Sequence, residues 1–170
     1  MKKAIVGLLL FVCLVPVWAK DLSGRIGVGS EIMLTPIAPL PGVPLIGSLS
    51  YNALSVRTYL DPKVGLSGNF VMTLDGETTL GIGTGILYNI VSESNLNLLT
   101  KVGFNFAFVE DIETFRIPVL LNAEFFLNQI NNLGIEMGVG LMHFDIIEGD
   151  LYFYLGTSSL APNLGFHYYF

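Results

Sequence analysis

The chain has 170 residues, of which 52% are hydrophobic and 13% are charged, and its formal net charge is -6. This length allows one domain, and the acidic balance leaves no basic patch for nucleic acid. Neither a phosphate-binding loop nor a metal-ligand cluster is recognisable, so we expect no catalytic site, no cofactor and no metal. The only cysteine, Cys13, lies in an apolar stretch near the N-terminus, so we expect no disulfide in the mature protein.

The first 19 residues have the three parts of a secretory signal peptide. Two lysines give a positive start, residues 4–15 form an apolar core, and Ala19 ends a small-residue cleavage site. The apolar core is too short for a transmembrane helix. We therefore predict a signal peptide at 1–19 and a single mature domain at 20–170.

Side chains alternate with a period of two directly after this segment. Between Leu22 and Leu34, the charged Arg25 and Glu31 fall on odd positions, and the even positions are mostly aliphatic. Successive side chains of a strand point to opposite faces, so one face is apolar and the other carries charges and glycines. A soluble barrel of the lipocalin kind would bury the apolar face, whereas small and charged residues in a narrow lumen favour a membrane barrel.

Turn residues divide the alternating region into eight strands, an even number that brings both termini to one side of a closed barrel. Short polar turns at 61–63, 92–95 and 128–132 are placed on the periplasmic side, with both termini. The predicted fold is an all-β, eight-stranded antiparallel up-and-down transmembrane β-barrel. Its predicted strands are 22–34, 50–60, 63–74, 79–91, 96–109, 115–127, 133–145 and 155–170.

The lipid-facing phase of the predicted strands contains no Asp, Glu, Lys or Arg. Contact with lipid explains this, because a basic side chain at the bilayer midplane costs about 2–4 kcal/mol. Pro118, in the middle of the sixth strand, cannot donate a ladder hydrogen bond and predicts a bulge or a local irregularity. The lumen phase holds most of the glycines and the cations Arg25, Arg57, Lys63, Lys101 and Arg116.

The last eight residues, Asn163 to Phe170, alternate apolar side chains with others and end on phenylalanine. This strand resembles the terminal strand of bacterial outer-membrane proteins. With eight strands and this length, the chain is similar to the small barrels of the OmpA transmembrane-domain and OmpX kind. The resemblance implies a monomer in the outer membrane of a Gram-negative bacterium, surrounded by outer-membrane lipids and lipopolysaccharide. It also implies insertion by the barrel-assembly machinery through the strand that ends in Phe170.

Several charged residues of the lumen phase are predicted to lie at similar depth near the periplasmic end. Glu124 and Glu136 should face each other across the hairpin of strands six and seven, where two carboxylates repel unless a cation or a proton lies between them. We expect Arg25 and Lys101 to supply the counter-charges. The same depth is predicted for Arg57 and His167.

A second tier, formed by Glu31 and Arg116, is expected closer to the outer side. Because buried charges must be paired, we interpret both tiers as a polar network that plugs the lumen. A gated ion path or a catalytic His/Glu pair is the alternative.

The sequence favours a structural or surface-interaction role over two other functions. A lipid A-modifying enzyme needs a nucleophile and a base near the outer leaflet; His143 lies near that level but on the predicted lipid phase, and Ser158 and Ser159 could approach it only across the last hairpin. A small transporter of hydrophobic molecules needs an apolar upper lumen, where Glu31 and Arg116 are expected.

The outer connectors differ from one another in polarity. The first, 35–49, is apolar and proline-rich, so it could fold over the barrel mouth, rest on the headgroups or bind a hydrophobic partner. Acids in the other three are interpreted as solvated loop charge or, alternatively, as divalent-cation bridges to lipopolysaccharide phosphates. These acids are Asp75, Glu77, Glu110, Asp111, Glu113, Asp145, Glu148 and Asp150.

Overall fold

All regular structure in the described part of the chain is β-structure. The computed structural model describes residues 21–36, 48–73, 79–109, 112–127, 130–147, 149–155 and 163–170. No helix in these ranges is long and apolar enough to cross a membrane. The strands are β1 (Ile26–Pro36), β2 (Ser48–Tyr59), β3 (Val64–Thr73), β4 (Thr79–Ser92), β5 (Leu96–Val109), β6 (Ile112–Leu127), β7 (Ile130–Ile147), β8 (Asp150–Leu155) and β9 (Asn163–Tyr169).

Eight of these strands close a barrel in which every strand is antiparallel to its neighbours. Strands β1 to β7 pair in chain order, and β9 pairs with both β7 and β1. Strand β8 pairs with β7 alone and forms a hairpin at the end of the barrel opposite the termini. We call that end the upper end and the end with the termini the lower end. The predicted closed, eight-stranded antiparallel barrel is confirmed.

Exposure alternates along the barrel strands in the predicted phase. In β4, every second residue from Thr79 to Asn89 is buried, and every residue between them is exposed. The exposed positions of β4, β5 and β9 carry no charged side chain. An apolar exterior around a polar interior is the arrangement that lipid requires.

The first predicted strand begins later than expected. Strand β1 starts at Ile26 and not at Leu22, because Gly24 has a φ of 73° and the backbone N–H of Arg25 donates to the Leu22 carbonyl at 3.0 Å. Glycine adopts this left-handed conformation without the steric penalty of a Cβ. The resulting turn places the Leu22 side chain inside the lower end of the barrel.

The predicted eighth strand, 155–170, is also corrected. Strand β7 continues to Ile147 and returns as β8 after Gly149, whose φ of 92° suits a tight hairpin turn. The upper connection is therefore a regular hairpin where an acidic loop was expected. Strand β9 supplies the eighth wall strand, and residues 156–162 lie outside the described residues.

A β-bulge interrupts the pairing of β6 with β7. Val119 pairs with Met142. The next residue, Leu120, pairs with Gly140, so Leu141 is the extra residue. An extra residue in one strand inverts the parity of everything beyond it.

The bulge reverses the predicted facing of the upper part of β7. His143 is buried toward the lumen and Phe144 is exposed. The prediction that His143 lies on the lipid phase is therefore wrong. Pro118 pairs with His143 one position away from the bulge, which confirms the irregularity predicted at this proline.

Apolar side chains fill the lower end of the lumen. The cluster there combines side chains from the N-terminal turn and from five strands, and all are at most 5% exposed. We call this group the apolar floor. Its members are Leu22, Tyr59, Leu87, Leu99, Phe126 and Tyr169.

Candidate functional site

Five charged side chains from five strands, together with His167, meet inside the barrel above the apolar floor. None of them is more than 4% exposed. Charges taken out of water are stable only when they are paired, so their partners decide what this site can do. We call this group the ionic layer; its charged members are Glu31, Arg57, Lys101, Glu124 and Glu136.

Arg57 on β2 is the centre of the ionic layer. Its Nη2 donates to Glu31 Oε2 at 2.8 Å, and its Nη1 contacts the Glu136 carboxylate. The same Nη1 lies 3.9 Å from Glu124 Oε1. One guanidinium therefore joins carboxylates from three other strands, a geometry that its forked donors permit.

The predicted counter-ions of the Glu124 and Glu136 pair are wrong. Arg25 is only partly buried and donates to Asn132 Oδ1 at 3.0 Å. Lys101 lies 2.6 Å from a Glu31 oxygen instead. The lysine on β5 thus crosses the lumen to the strand on the opposite wall.

Gly165 on β9 leaves space for the bridge made by Arg57. It pairs with Glu31 on one side and with Glu136 on the other. A Cβ at this position would lie 3.2 Å from the Glu31 Cβ and 3.1 Å from the Ser30 carbonyl oxygen. The absence of a side chain lets the two flanking carboxylates approach one guanidinium.

Gly29 on β1 likewise lets side chains of its two neighbouring strands, β2 and β9, approach each other. Gly29 pairs with Ser55 and with His167, and the His167 Nε2 lies 2.9 Å from the Ser55 Oγ across it. His167 is fully buried, as its lumen-facing position predicts.

Neutral side chains donate further hydrogen bonds to the three carboxylates. The Tyr169 hydroxyl donates to Glu124 at 2.6 Å, which joins the ionic layer to the apolar floor. The other donors are Asn69 to Glu31 at 2.7 Å, Asn122 to Glu136 at 2.6 Å and Asn163 to Glu136 at 3.1 Å.

Glu124 and Glu136 pair directly across β6 and β7, as predicted. The ionic layer contains three carboxylates, one arginine and one lysine, so with all five ionised and His167 neutral it has one negative charge in excess. One ligand atom from each of Glu124, Glu136 and His167 lies within 4.8 Å of the others. Such a group can take up a proton or a metal ion, although Arg57 already lies against Glu136. The sequence predicts these three residues at similar depth, but it does not show that their ligand atoms converge, because they lie on three different strands.

A second charged group lies higher in the lumen. Arg116 holds Asp145 through two hydrogen bonds of 2.7 Å each, and both side chains are buried. The His143 ring stacks on Tyr154 at 4.7 Å, with its Nε2 3.6 Å from the Asp145 carboxylate. We call Arg116 and Asp145 the upper pair, and His143 the histidine of the upper pair.

The upper pair corrects two predictions. Arg116 does not share a tier with Glu31, which belongs to the ionic layer. Asp145 is not a solvated loop acid, since it is fully buried. The second error follows from the bulge at Leu141, which turns Asp145 into the lumen.

Other predicted residues lie at the barrel ends. Lys63 is exposed in a turn and does not face the lumen, which corrects its assignment. Glu113 and Asp150 are exposed at the upper end. The following residues named in the sequence analysis lie outside the described residues: Asp75, Glu77, Glu110, Asp111, Glu148, Ser158, Ser159 and most of the connector 35–49.

A groove of about 430 Å³ lies on the outer wall where β1, β9 and β7 meet. Its sides include Ile32, Ile135, Leu164 and Phe166, and it reaches Glu136 beside Gly165. This volume lies within the range of small-molecule sites.

Comparison with known proteins does not identify a family for this chain. No family model matches the chain, and no curated protein matches it. Among solved structures, the crystal structure of Ail, the attachment invasion locus protein of Yersinia pestis, is similar over 90% of this chain and 100% of that chain. The sequence identity is 13% and the TM-score is 0.39. A likeness of this degree supports no conclusion about family or function.

Proposed function

We propose that the chain is an outer-membrane β-barrel with a structural or surface-interaction role, whose lumen is plugged by polar and charged side chains. The observation that carries the plug is a set of contacts through the lumen between strands that are not neighbours in the barrel. Lys101 on β5 reaches Glu31 on β1, and Arg57 on β2 reaches Glu136 on β7. An eight-stranded barrel is just wide enough for side chains to fill, so such contacts leave little free cross-section.

Conductance in planar lipid bilayers tests the plug. We expect the parent protein to remain near background current. The double variant Arg57→Ala, Lys101→Ala removes both cross-lumen contacts and should raise the current. The matched control Lys63→Ala removes an exposed cation and should leave the current unchanged. A steady open-pore current in the parent would contradict the plug and favour the gated ion path.

The apolar outer phase and the terminal strand support the proposed location in the outer membrane. The Phe170 side chain is 73% exposed, while its backbone N–H donates to the Ile26 carbonyl at 2.9 Å. An exposed terminal ring adds little to barrel packing, so we propose that it acts as a signal for the barrel-assembly machinery. Outer-membrane lipids and lipopolysaccharide would then surround a monomeric barrel.

Cell fractionation of the parent and of a variant that lacks Phe170 tests this location. The parent should be recovered in the outer membrane. The deletion variant should insert poorly in cells but refold normally in detergent, because the ladder hydrogen bonds of β9 remain. Recovery of the parent in another fraction would contradict the outer-membrane location. Normal insertion of the deletion variant would contradict the role of Phe170 as an assembly signal.

We propose that the chain is not an enzyme. His143 faces the lumen and its ring is covered by Tyr154, so it does not present a base to the surrounding lipid. Mass spectra of lipid A from cells with and without the chain should be identical. A mass shift that depends on His143 would establish a lipid-modifying activity instead.

The groove on the outer wall is the observation that favours the alternative, a small transporter of hydrophobic molecules. The variant Ile135→Trp fills the groove, and Ile82→Trp places the same ring on β4, away from it. Saturable binding of a fluorescent fatty acid that is lost only in Ile135→Trp would favour the transporter. Equal binding by both variants and the parent would exclude the groove as a specific site.

A further inference from the structure

The upper part of β7 and all of β8 present an apolar outer face. Among the described residues of this face, no charged side chain interrupts the apolar ones. Their exposure ranges from 38% at Phe144 to 77% at Leu155. We call this surface the hairpin face; its residues are Phe144, Ile146, Leu151, Phe153 and Leu155.

Specific pairing builds the hairpin face. Phe144 pairs directly with Phe153, and their rings lie 4.7 Å apart. Ile146 pairs with Leu151 in the same way. Cross-strand pairs of this kind stabilise two-stranded hairpins.

The opposite face of the same hairpin is different in chemistry. It carries Asp145 and His143 from β7, and Tyr152 and Tyr154 from β8, which are partly or fully buried. The hairpin therefore has one aromatic and polar face toward the barrel mouth and one apolar face away from it. The bulge at Leu141 is required for this, because regular alternation would turn His143 and Asp145 outward.

We propose that the hairpin face lies against the acyl chains of the surrounding lipid. The argument is continuity with the lipid-facing surface of the barrel. Along β7, Val139 below the bulge and Leu141 in it are followed on the same side by Phe144 and Ile146. Apolar patches of this kind are rare on surfaces that face water. This inference rests on the membrane location in the proposed function and not on the plug.

Each strand beside the hairpin face extends the same surface. On β6, the partners of Ile146 and Phe144 are Phe115 and Ile117, which share the outward phase. On β5, Phe106 and Phe108 form an edge-to-face contact at 4.7 Å. At the level of Phe106, Phe115, Ile146 and Leu151, which pair in that order, the apolar band thus continues from β5 through β8. The exposed Glu113, the partner of Phe108, lies above this row. Lipid is the occupant that the rest of this band already requires.

Single tryptophans can locate the hairpin face, because Trp18 is the only tryptophan of the chain and lies in the predicted signal peptide. In a Trp18→Phe background, Phe153→Trp reports on the hairpin face. Tyr152→Trp reports on the neighbouring position of the opposite face. Val139→Trp is the reference for a lipid-facing position below the bulge.

The variants are reconstituted in phosphatidylcholine vesicles with brominated or unmodified acyl chains. The tryptophan at position 153 should show blue-shifted emission and lose most of its intensity in brominated lipid, as at position 139. The tryptophan at position 152 should be quenched much less. Leu151→Trp gives a second reporter of the hairpin face if Phe153→Trp does not fold.

Three results would overturn the inference. Quenching at position 153 by aqueous iodide and not by brominated lipid would place the hairpin in water. Protection from both quenchers would mean that protein, such as a second copy of this chain, covers the hairpin face. Failure of brominated lipid to quench at position 139 as well would contradict the membrane location in the proposed function itself.

Discussion

The two charged groups of the lumen solve the problem of buried charge in different ways. In the ionic layer, five charges from five strands join opposite walls, and carboxylates outnumber cations. In the upper pair, one cation and one carboxylate from directly paired residues of β6 and β7 satisfy each other. The ionic layer therefore specifies the closure of the whole barrel, whereas the upper pair secures only two neighbouring strands. The bulge at Leu141 lies between them along β7 and reverses which residues of β7 face the lumen above it.

Deletions in β7 should give the largest effect and test whether the bulge separates the two groups. Deleting Leu141 removes the extra residue and keeps the pairing above and below it, so we expect a folded barrel. Deleting Ile135 shifts at least the segment between this position and the bulge by one residue, exchanges its inward and outward faces and so removes Glu136 from the lumen. We expect no folded barrel in that case. Circular dichroism after refolding in detergent measures the difference, and equal folding of the two deletions would refute the bulge assignment.

Removal of Arg57 should give the next largest effect. Arg57→Met leaves the buried carboxylates Glu31 and Glu136 without their shared partner, and breaking a buried pair in this way costs about 3–5 kcal/mol. The double variant with Glu136→Gln should show a coupling energy of about 0.5–3 kcal/mol in urea unfolding. The matched pair Arg25→Met and Glu136→Gln should be additive, because Arg25 contacts Asn132. Additive behaviour of the Arg57 pair would show that the layer is not one network.

The contrast between the two groups also explains what the sequence could predict. Period-two alternation predicts the strands, their facing below the bulge and the pairing of Glu124 with Glu136, because these depend on neighbouring segments. It does not identify Arg57 as the partner of Glu136, since contacts across the lumen depend on the register summed around the whole barrel. The alternation also fails for Asp145, because a single extra residue inverts the phase.

Pro118 illustrates the limit of such reasoning. Its missing N–H predicts an irregularity. The sequence does not show that the extra residue lies on the partner strand, at Leu141. His143 was consequently assigned to the lipid phase, and its contact with Tyr154 could not be foreseen.

Removal of Arg116 should have a smaller effect than removal of Arg57, which sharpens the comparison. Arg116→Met leaves one buried carboxylate, Asp145, without its cation, whereas Arg57→Met leaves two, so we expect a cost near the lower end of the range of about 3–5 kcal/mol for breaking a buried ion pair. Its effect should be independent of Glu31→Gln, because Arg116 is bonded to Asp145, whereas Glu31 is bonded to Arg57 and Lys101. Urea unfolding in lipid vesicles measures this, with Lys63→Met as an exposed control. Strong coupling between Arg116 and Glu31 would restore the single upper tier that the sequence suggested.

The smallest expected effect concerns Glu124, which lies directly opposite Glu136 but has a weaker link to Arg57. Glu124→Gln removes the excess negative charge and retains an oxygen that can accept the hydrogen bond from Tyr169. We therefore expect the free energy of unfolding to stay close to that of the parent or to rise. Glu136→Gln, the matched variant, removes the closest carboxylate of Arg57 and should be clearly destabilising. If the two variants are equally destabilised at neutral pH, Glu124 must neutralise a cation that the count of three carboxylates and two cations leaves out, and a bound metal ion becomes the first candidate to test by adding a chelator.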